Sequence, residues 1–251
     1  VIDMPTRFVD FMRVLVPMAG DDTTPEGEQV NIYGNHVGSW NFAATAYLNQ
    51  WKVKIYYEHY FDDHSQMFFQ YGRWKDGHIG LEITFPKNRF IDTFVYEGLG
   101  TKDQTGPMLY DSFWGEFEEQ ISAKDNYYNH YLYQGWQHWG MGIGNPLLPG
   151  PIYNKNGQIT FISNRVLAHH IGFCGSPCQS LSYRMLLSYS RHWGTYDNPL
   201  NEIKKQFNSL FEVTYAPQQL KGWSFTVSGA MDRGSILGNN YGGMLVIRKQ
   251  G

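Results

Sequence analysis

The stretch WKVKIYYEHYFD, which runs from Trp51 to Asp62, alternates between two kinds of side chain with a period of two residues. Its odd positions are apolar or aromatic as far as Tyr57, whereas the even positions between them hold lysine or tyrosine. Successive side chains of a β-strand point to opposite faces of the sheet, so this period predicts a strand with one apolar and one polar face.

The same alternation recurs along most of the chain and predicts an all-β protein. Further segments that show it are Trp40 to Asn49, Ile79 to Phe85, Leu181 to Ser190, Phe207 to Tyr215 and Trp223 to Asp232. We expect roughly ten to twelve antiparallel strands, each about as long as a tilted strand that crosses a membrane. A soluble β-sandwich also alternates. The repeated contrast between Trp, Tyr, Leu and Met on one face and Arg, Lys and Glu on the other favours a transmembrane β-barrel.

Turn and loop signals separate these segments. Four dipeptides are typical of turns: Asp76-Gly77, Asn156-Gly157, Asn239-Asn240 and Gly242-Gly243. The gaps from Leu99 to Asn126 and from Asn145 to Gln158 predict long extracellular loops. Two segments, Gly115 to Ser122 and Pro199 to Phe207, fit one or two helical turns at loop tips.

The composition is compatible with such a barrel. Charged residues make up 17% of the chain, below the roughly 25% of soluble domains, and aromatic residues also make up 17%. Rings with a polar tip suit a membrane–water interface. No apolar stretch approaches the roughly 18 residues of a membrane helix, which excludes a helical membrane protein.

Charge and cysteine content limit the remaining function classes. The formal net charge is −3 and no basic run occurs, so we expect no nucleic-acid partner. Cys174 and Cys178 flank Gly175, Ser176 and Pro177, which allows either a tight loop disulfide in an oxidising compartment or two free thiols. We expect them at a strand end next to a turn made by Pro177, with few free thiols.

Several longer segments resemble one known family. They are NIYGNHVGSWNFA from Asn31, QGWQHWGMGIGNPLLPGPIYN from Gln134, NRVLAHHIGFCG from Asn164, SYSRHWGTYDNP from Ser188 and GNNYGGMLVIRKQG from Gly238. Together they are similar to the capsule-assembly Wzi-like outer-membrane proteins of Bacteroides-type bacteria. The resemblance implies a single-chain barrel of the bacterial outer membrane that associates with surface polysaccharide as a lectin and is not an enzyme.

The resemblance also bears on domain organisation. Members of that family carry an N-terminal region with periplasmic helices and further strands. We therefore expect residues 1–251 to be one barrel segment, the later strands of a larger barrel, without those N-terminal strands and helices. An open sheet edge in lipid leaves backbone groups unpaired, each at a cost of several kcal/mol. Preceding residues or another chain must then close the barrel.

Candidate binding residues are aromatic and polar side chains outside the most regular strands. For carbohydrate we select Trp114, Asp125, Tyr127, Tyr128, Trp136 and His138. The expected partners are surface polysaccharide and outer-membrane lipid, with other outer-membrane proteins as further partners. We expect no cofactor, no metal and no catalytic residue.

Other constellations have a functional and a structural interpretation. His59 to His64 (HYFDDH) mixes imidazoles and carboxylates as a metal site does, but also fits a strand end entering a turn. Glu116, Glu118 and Glu119 offer the paired carboxylates of a glycosidase, but simple solvation explains them better, sugar binding comes second and hydrolysis third. Gly140, Gly142 and Gly144 suit close backbone approach better than a phosphate loop, since Pro146 disfavours a following helix.

Two further functions remain open at this stage. The chain could be a structural barrel subunit of a larger outer-membrane assembly, or a glycan hydrolase that acts through the carboxylates between Glu116 and Glu119. A diffusive porin is a minor variant, because long loops would plug its lumen.

Overall fold

The computed structural model describes most of the chain. The described residues are 5–16, 18–25, 28–29, 33–34, 36–62, 64–67, 76–88, 90–108, 124–130, 132 and 135–250. The helices are α1 (Phe8–Leu15) and α2 (His64–Met67), with a 3-10 turn at Pro151–Tyr153. The strands are β1 (Gly38–Leu48), β2 (Trp51–Phe61), β3 (Gly77–Thr84), β4 (Thr93–Gly100), β5 (Gln137–His138), β6 (Met141–Gly142), β7 (Val166–Cys178), β8 (Leu181–Gly194), β9 (Pro199–Tyr215), β10 (Trp223–Gly234) and β11 (Asn240–Lys249).

Nine of these strands form one antiparallel sheet in the order β1-β2-β3-β4-β7-β8-β9-β10-β11. Each strand pairs with the next along the chain, except that β5 and β6 form a separate two-stranded hairpin between β4 and β7. The expected all-β antiparallel architecture is therefore confirmed. Within the described residues β1 and β11 are the outer strands, and the sheet does not close on itself.

The strand register collects apolar side chains on one face, which we call the apolar face. One row across it reads Ala46, Val53, Ile83, Phe94, Phe173, Met185, Phe211, Gly229 and Gly243. A row on the opposite, polar face reads Ala43, Tyr56, Gly80, Glu97, His170, Ser188, Asn208, Asp232 and Asn240. The apolar face is uncovered, since Val227 is 61% exposed and Leu245 is 64% exposed.

Aromatic side chains concentrate towards both ends of the apolar face. One group comprises Trp51, Phe85, Tyr183, Tyr215, Trp223 and Phe225, and the other comprises Trp40, Tyr57, Phe61, Tyr189, Phe207 and Tyr241. Aliphatic residues, alanine and glycine fill much of the band between them. The apolar band is thus bordered by rings at both edges.

The connections between strands differ between the two ends of the sheet. At one end, the short-turn end, they are residues 49–50, 85–92, 179–180 and 216–222. At the other, the long-loop end, they include 62–76 and the much longer 101–165. The second connection unites the two loops expected from Leu99 to Asn126 and from Asn145 to Gln158.

Two local expectations are wrong. Pro199 to Phe207 belongs to strand β9 and forms no helix, because its backbone pairs with β8 from Gly194 onwards. Gly242 and Gly243 lie inside β11 and make no turn there. They face Ala230 and Gly229 across β10, so small residues meet small residues at this point of the sheet. The other proposed helical segment, Gly115 to Ser122, lies outside the described residues.

None of the helices described is long and apolar enough to cross a bilayer.

Candidate functional site

The described parts of the long connection 101–165 fold back over the polar face at the long-loop end. It is held there by a small core in which Tyr128, Leu148 and Phe161 of the connection pack on Val166 and Ala168 of β7. Both β7 residues lie in the polar-face register but carry apolar side chains. This local exception to the polar pattern explains why the connection docks at this place.

A buried carboxylate joins the two long connections. Asp76 accepts hydrogen bonds from the backbone N–H groups of Asp103 (2.8 Å) and Gln104 (2.7 Å), and from the hydroxyl of Tyr127 (2.9 Å). Burial raises the pKa of Asp76, while these three hydrogen bonds oppose that rise. Burial and the charge of Asp76 raise the pKa of Tyr127 well above its ordinary value, so the phenol stays a donor.

Asn164 provides a second buried junction. Its Nδ2 donates to Asn126 Oδ1 (2.6 Å) and to the carbonyl of Tyr127 (2.7 Å), while its own carbonyl accepts from Thr101 Oγ1 (2.6 Å). Both ends of the connection, next to β4 and next to β7, are thereby tied to its middle. The aromatic residues at 127 and 128 consequently sit on a buried, hydrogen-bonded polar frame.

A cleft of about 320 Å³ opens between this frame and the ends of β1 and β2. Its lining residues are Val37, Gly38, Ser39, Glu58, Tyr60, Phe61, Thr101, Tyr127, Tyr128, Trp136, Ile143, Gly144, Asn145 and Leu148. Tyr128 stacks on Trp136 with ring centroids 6.2 Å apart and meets Phe161 edge-on at 5.0 Å. The cleft therefore has rigid aromatic walls and a few fixed polar groups, as small-molecule sites commonly do.

Trp136 is held in an unfavourable backbone conformation. Its φ is +56°, in the left-handed region that bulky residues rarely adopt. The indole Nε1 is buried and finds no acceptor among the described residues. Strain of this kind clusters at ligand-binding sites, and the N–H is a donor available to a ligand in the cleft.

A second cleft of about 410 Å³ continues from the first along the polar face. Residues that line both are Glu58, Tyr60, Gly144 and Asn145. The second cleft contains two pairs of polar side chains that the first cleft lacks. His78 Nε2 lies 3.4 Å from Glu97 Oε1, and His170 Nδ1 lies 2.6 Å from Ser188 Oγ. The two clefts form a continuous polar groove along several strands.

The residues selected from the sequence have different positions around this groove. Tyr127, Tyr128 and Trp136 come together and line the first cleft, although Tyr127 is only 5% exposed and mainly supports the frame. Asp125 lies behind them and donates its backbone N–H to the carbonyl of Gln104. His138 is exposed on β5, edge-on to the neighbouring Trp139. Trp114 lies outside the described residues, as do Glu116 to Glu119.

Four polar residues of the groove were not selected from the sequence. Glu58, Tyr60, His78 and Glu97 belong to regular strands and line the second cleft. Their only sequence signal is membership of the polar face, which many other residues share. Which part of that face is covered depends on the docking of the connection 101–165, and no alternating pattern predicts that.

The HYFDDH segment has a structural role in the described residues. His59 is fully buried, with Nε2 2.9 Å from the carbonyl of Gln66 and Nδ1 3.2 Å from the carbonyl of Asp76. No group of metal-ligand residues converges in the part of the chain that is described. Asp63 lies outside that part. The adjacent His169 and His170 lie on opposite faces, as expected for a strand.

The glycine and cysteine motifs are also structural. Gly140 and Gly144 have positive φ. An added Cβ would lie 3.0 Å from the Ile152 nitrogen at Gly140 and 3.3 Å from the Leu148 carbonyl oxygen at Gly142, so these two glycines permit close backbone approach. Cys174 and Cys178 lie towards the end of β7, as expected, but the turn that follows is formed by residues 179–180, and Pro177, which was expected to make it, belongs to the strand. Both are free thiols, contrary to the expected bond. A register shift between Gly175 and Cys178 accompanies the pair.

Comparison of the chain with known protein families, with curated proteins and with solved structures finds no significant match.

Proposed function

We propose that this chain forms part of the wall of a β-barrel in a bacterial outer membrane and holds surface polysaccharide at its long-loop end, without catalysis. The observation that carries this proposal is the pairing of an uncovered apolar face with an aromatic-walled groove on the opposite, polar face. The resemblance to the Wzi-like proteins supports it independently of the fold.

The apolar face has the form that lipid contact requires. Outer-membrane barrels carry an outward apolar band about 25 Å tall, flanked by aromatic girdles at both interfaces. Phe207 and Tyr215, at opposite edges of the band on β9, are eight residues apart, which corresponds to about 27 Å along a strand. Contiguous exposed apolar surface of this extent is rare on soluble proteins.

The ends of the sheet also fit a barrel. Barrels of this type have short turns on the periplasmic side and longer loops on the extracellular side. We assign the short-turn end to the periplasm and the long-loop end, with connection 101–165, to the cell exterior. Unpaired backbone groups on β1 and β11 would be costly in lipid, so further strands, from the same polypeptide or from another, complete the wall.

The groove suits an extended neutral or weakly charged glycan. The ring of Trp136, backed by the buried Tyr128, offers a face for stacking on a sugar ring, and Glu58, His78 and Ser188 offer hydrogen-bonding groups for hydroxyls. The carboxylates considered for hydrolysis, Glu116 to Glu119, lie in the segment 109–123, outside the described residues. They therefore lend the groove no support as a catalytic site. Binding therefore explains the groove with fewer assumptions than cleavage.

A pair of tryptophan variants tests the glycan part of the proposal. Trp136→Ala should reduce retention of surface polysaccharide on cells that produce the protein, since truncating a central ring commonly costs about 2 kcal/mol or more. Trp139→Ala is the matched control, because Trp139 also has positive φ and is 82% exposed away from the cleft. Retention is measured with a glycan-specific stain, and insertion by heat-modifiable migration in gels.

Three outcomes are informative. Loss of retention in the Trp136 variant alone supports glycan binding in the first cleft. Normal retention in both variants, with normal insertion, favours a structural subunit of a larger outer-membrane assembly. Release of cleaved glycan by the wild-type chain would replace the binding proposal with hydrolysis.

A further inference from the structure

Three cations lie together on the apolar face, just beyond its aromatic edge at the long-loop end. They are Arg191 of β8, Lys205 of β9 and Arg233 of β10, and we call them the cationic rim. Arg191 stands directly opposite Lys205 in the register, and Arg233 stands opposite Phe207, which places it diagonally from Lys205. Cβ atoms of directly opposed residues lie about 5 Å apart and those of diagonal neighbours about 7–8 Å apart.

This arrangement is unfavourable in the protein alone. Like charges directly opposite each other destabilise a sheet, and no carboxylate of the described residues forms an ion pair with any member of the rim. Two other cations of the same sheet, Lys52 and Arg184, are paired with carboxylates across strands. On the polar face Arg184 stands opposite Glu212, with Nη2 3.4 Å from Oε1. The unpaired rim therefore points to an anion from outside the chain.

The indole ring of Trp193 lies beside the cationic rim. Trp193 lies two residues beyond Arg191 on β8, with the Arg191 guanidinium 5.4 Å and the Lys102 ammonium 4.8 Å from its ring. Tryptophan beside Lys and Arg is typical of the headgroup level of a membrane.

We propose that the cationic rim binds the phosphate groups of a phosphorylated lipid in the leaflet at the long-loop end. Guanidinium groups bind phosphate with two parallel hydrogen bonds, and an ammonium group adds a compact charge. The proposal rests on the membrane placement of the apolar face proposed above, and goes beyond it by naming the lipid class.

The position of the rim selects a lipid headgroup over a soluble ligand. Its members share a face with the apolar band, so a bound headgroup can keep its acyl chains against Phe211, Met185 and their neighbours. The glycan groove lies on the other face, behind the sheet. A free anion would gain the charge contacts but none of this apolar contact.

The test uses the full chain in a neutral maltoside detergent with added diphosphoryl lipid A. Native mass spectrometry measures the lipid bound to the wild type, to the rim variant R191Q/K205Q/R233Q and to the control K87Q/K221Q/K249Q. The control removes three exposed lysines at the short-turn end, so the net charge changes equally. Inorganic phosphate is added as competitor, and incorporation into phosphatidylcholine vesicles is measured separately.

The rim variant should bind the lipid about a hundredfold more weakly, since it lacks three cations that each attract an anionic headgroup. The control should bind as the wild type does, and millimolar inorganic phosphate should not displace the lipid. Equal binding by all three proteins, or equal loss in both variants, would overturn the site. Displacement by inorganic phosphate would show an anion site without lipid selectivity and overturn the lipid assignment. Failure of the wild type to enter neutral vesicles would instead refute the membrane placement itself.

Discussion

The hydroxyl of Tyr127 donates a hydrogen bond of 2.9 Å to Asp76 Oδ2, although the two residues lie 51 positions apart in the chain. The same hydroxyl also donates to the side-chain oxygen of Gln66, which makes the phenol a three-way junction. One hydroxyl supplies one proton, so the two acceptors share it. The junction joins connection 62–76 to connection 101–165 beneath the first cleft, and it holds the aromatic wall in place.

Tyr127→Phe should lower the free energy of unfolding by about 1–3 kcal/mol, because the side-chain oxygen of Gln66 loses its donor and Asp76 loses one of three, while the ring is kept. Urea unfolding in detergent micelles, followed by tryptophan fluorescence, measures the change. Tyr153→Phe is the matched control, since Tyr153 is 58% exposed. Equal stability of the two variants would show that the junction does not hold the loop.

Adjacent residues of β11 test which face of the sheet contacts lipid. Leu245 lies in the middle of the apolar face and is 64% exposed, while Met244 lies on the polar face and is 56% exposed. In a bilayer Leu245→Arg should cost about 2–4 kcal/mol, whereas Met244→Arg should be nearly neutral. Unfolding from phospholipid vesicles gives both values. A soluble sheet would tolerate the two changes equally, so similar costs would contradict the membrane placement.

The antiparallel sheet of this protein could be predicted from its sequence because strand alternation is a local property. In β2 and β8, for example, alternate residues share a face, so the order of apolar and polar residues along the strand is enough to assign each side chain to a face. Only local exceptions were misread. At Gly242-Gly243 two glycines suggest a turn, yet they pair with Gly229 and Ala230 in the sheet.

The groove could be predicted only in part, because it depends on contacts between distant segments. Tyr128 and Trp136 were recognisable as rings within one loop. Glu58 and Glu97 were not, because they enter the site only when connection 101–165 packs on Val166 and Ala168. Long-range docking of this kind leaves no periodic trace in the sequence.

The two cysteines should be reactive but at different rates. Both are thiols in the structure; Cys178 is exposed and Cys174 is partly buried. Maleimide labelling of the folded, non-reduced protein should modify Cys178 first and Cys174 more slowly, because only the thiolate that reaches solvent reacts. Mass spectrometry counts the labels. Absence of labelling without reductant, followed by two labels with reductant, would show a disulfide instead.

Two glycines of connection 101–165 separate backbone strain from close packing at the first cleft. Gly140 has a φ of +77° and Gly157 a φ of +70°, so alanine is strained at either position. At Gly140 an added Cβ would also lie 3.0 Å from the backbone nitrogen of Ile152, whereas at Gly157 it would meet nothing within 4 Å. The Ile152 N–H donates to the Gly140 carbonyl at 2.8 Å, so this contact has little room to relax.

Gly157→Ala should therefore cost only about 1 kcal/mol of unfolding free energy, the price of the left-handed conformation. Gly140→Ala should cost more, and it should also displace the hairpin β5–β6, which precedes Ile143 and Gly144 of the cleft lining. We expect weaker glycan retention in the Gly140 variant and normal retention in the Gly157 variant. Urea unfolding and the glycan stain provide the two measurements. Equal effects of both changes would mean that conformational strain alone acts here, and that the approach of Ile152 to Gly140 does not shape the cleft.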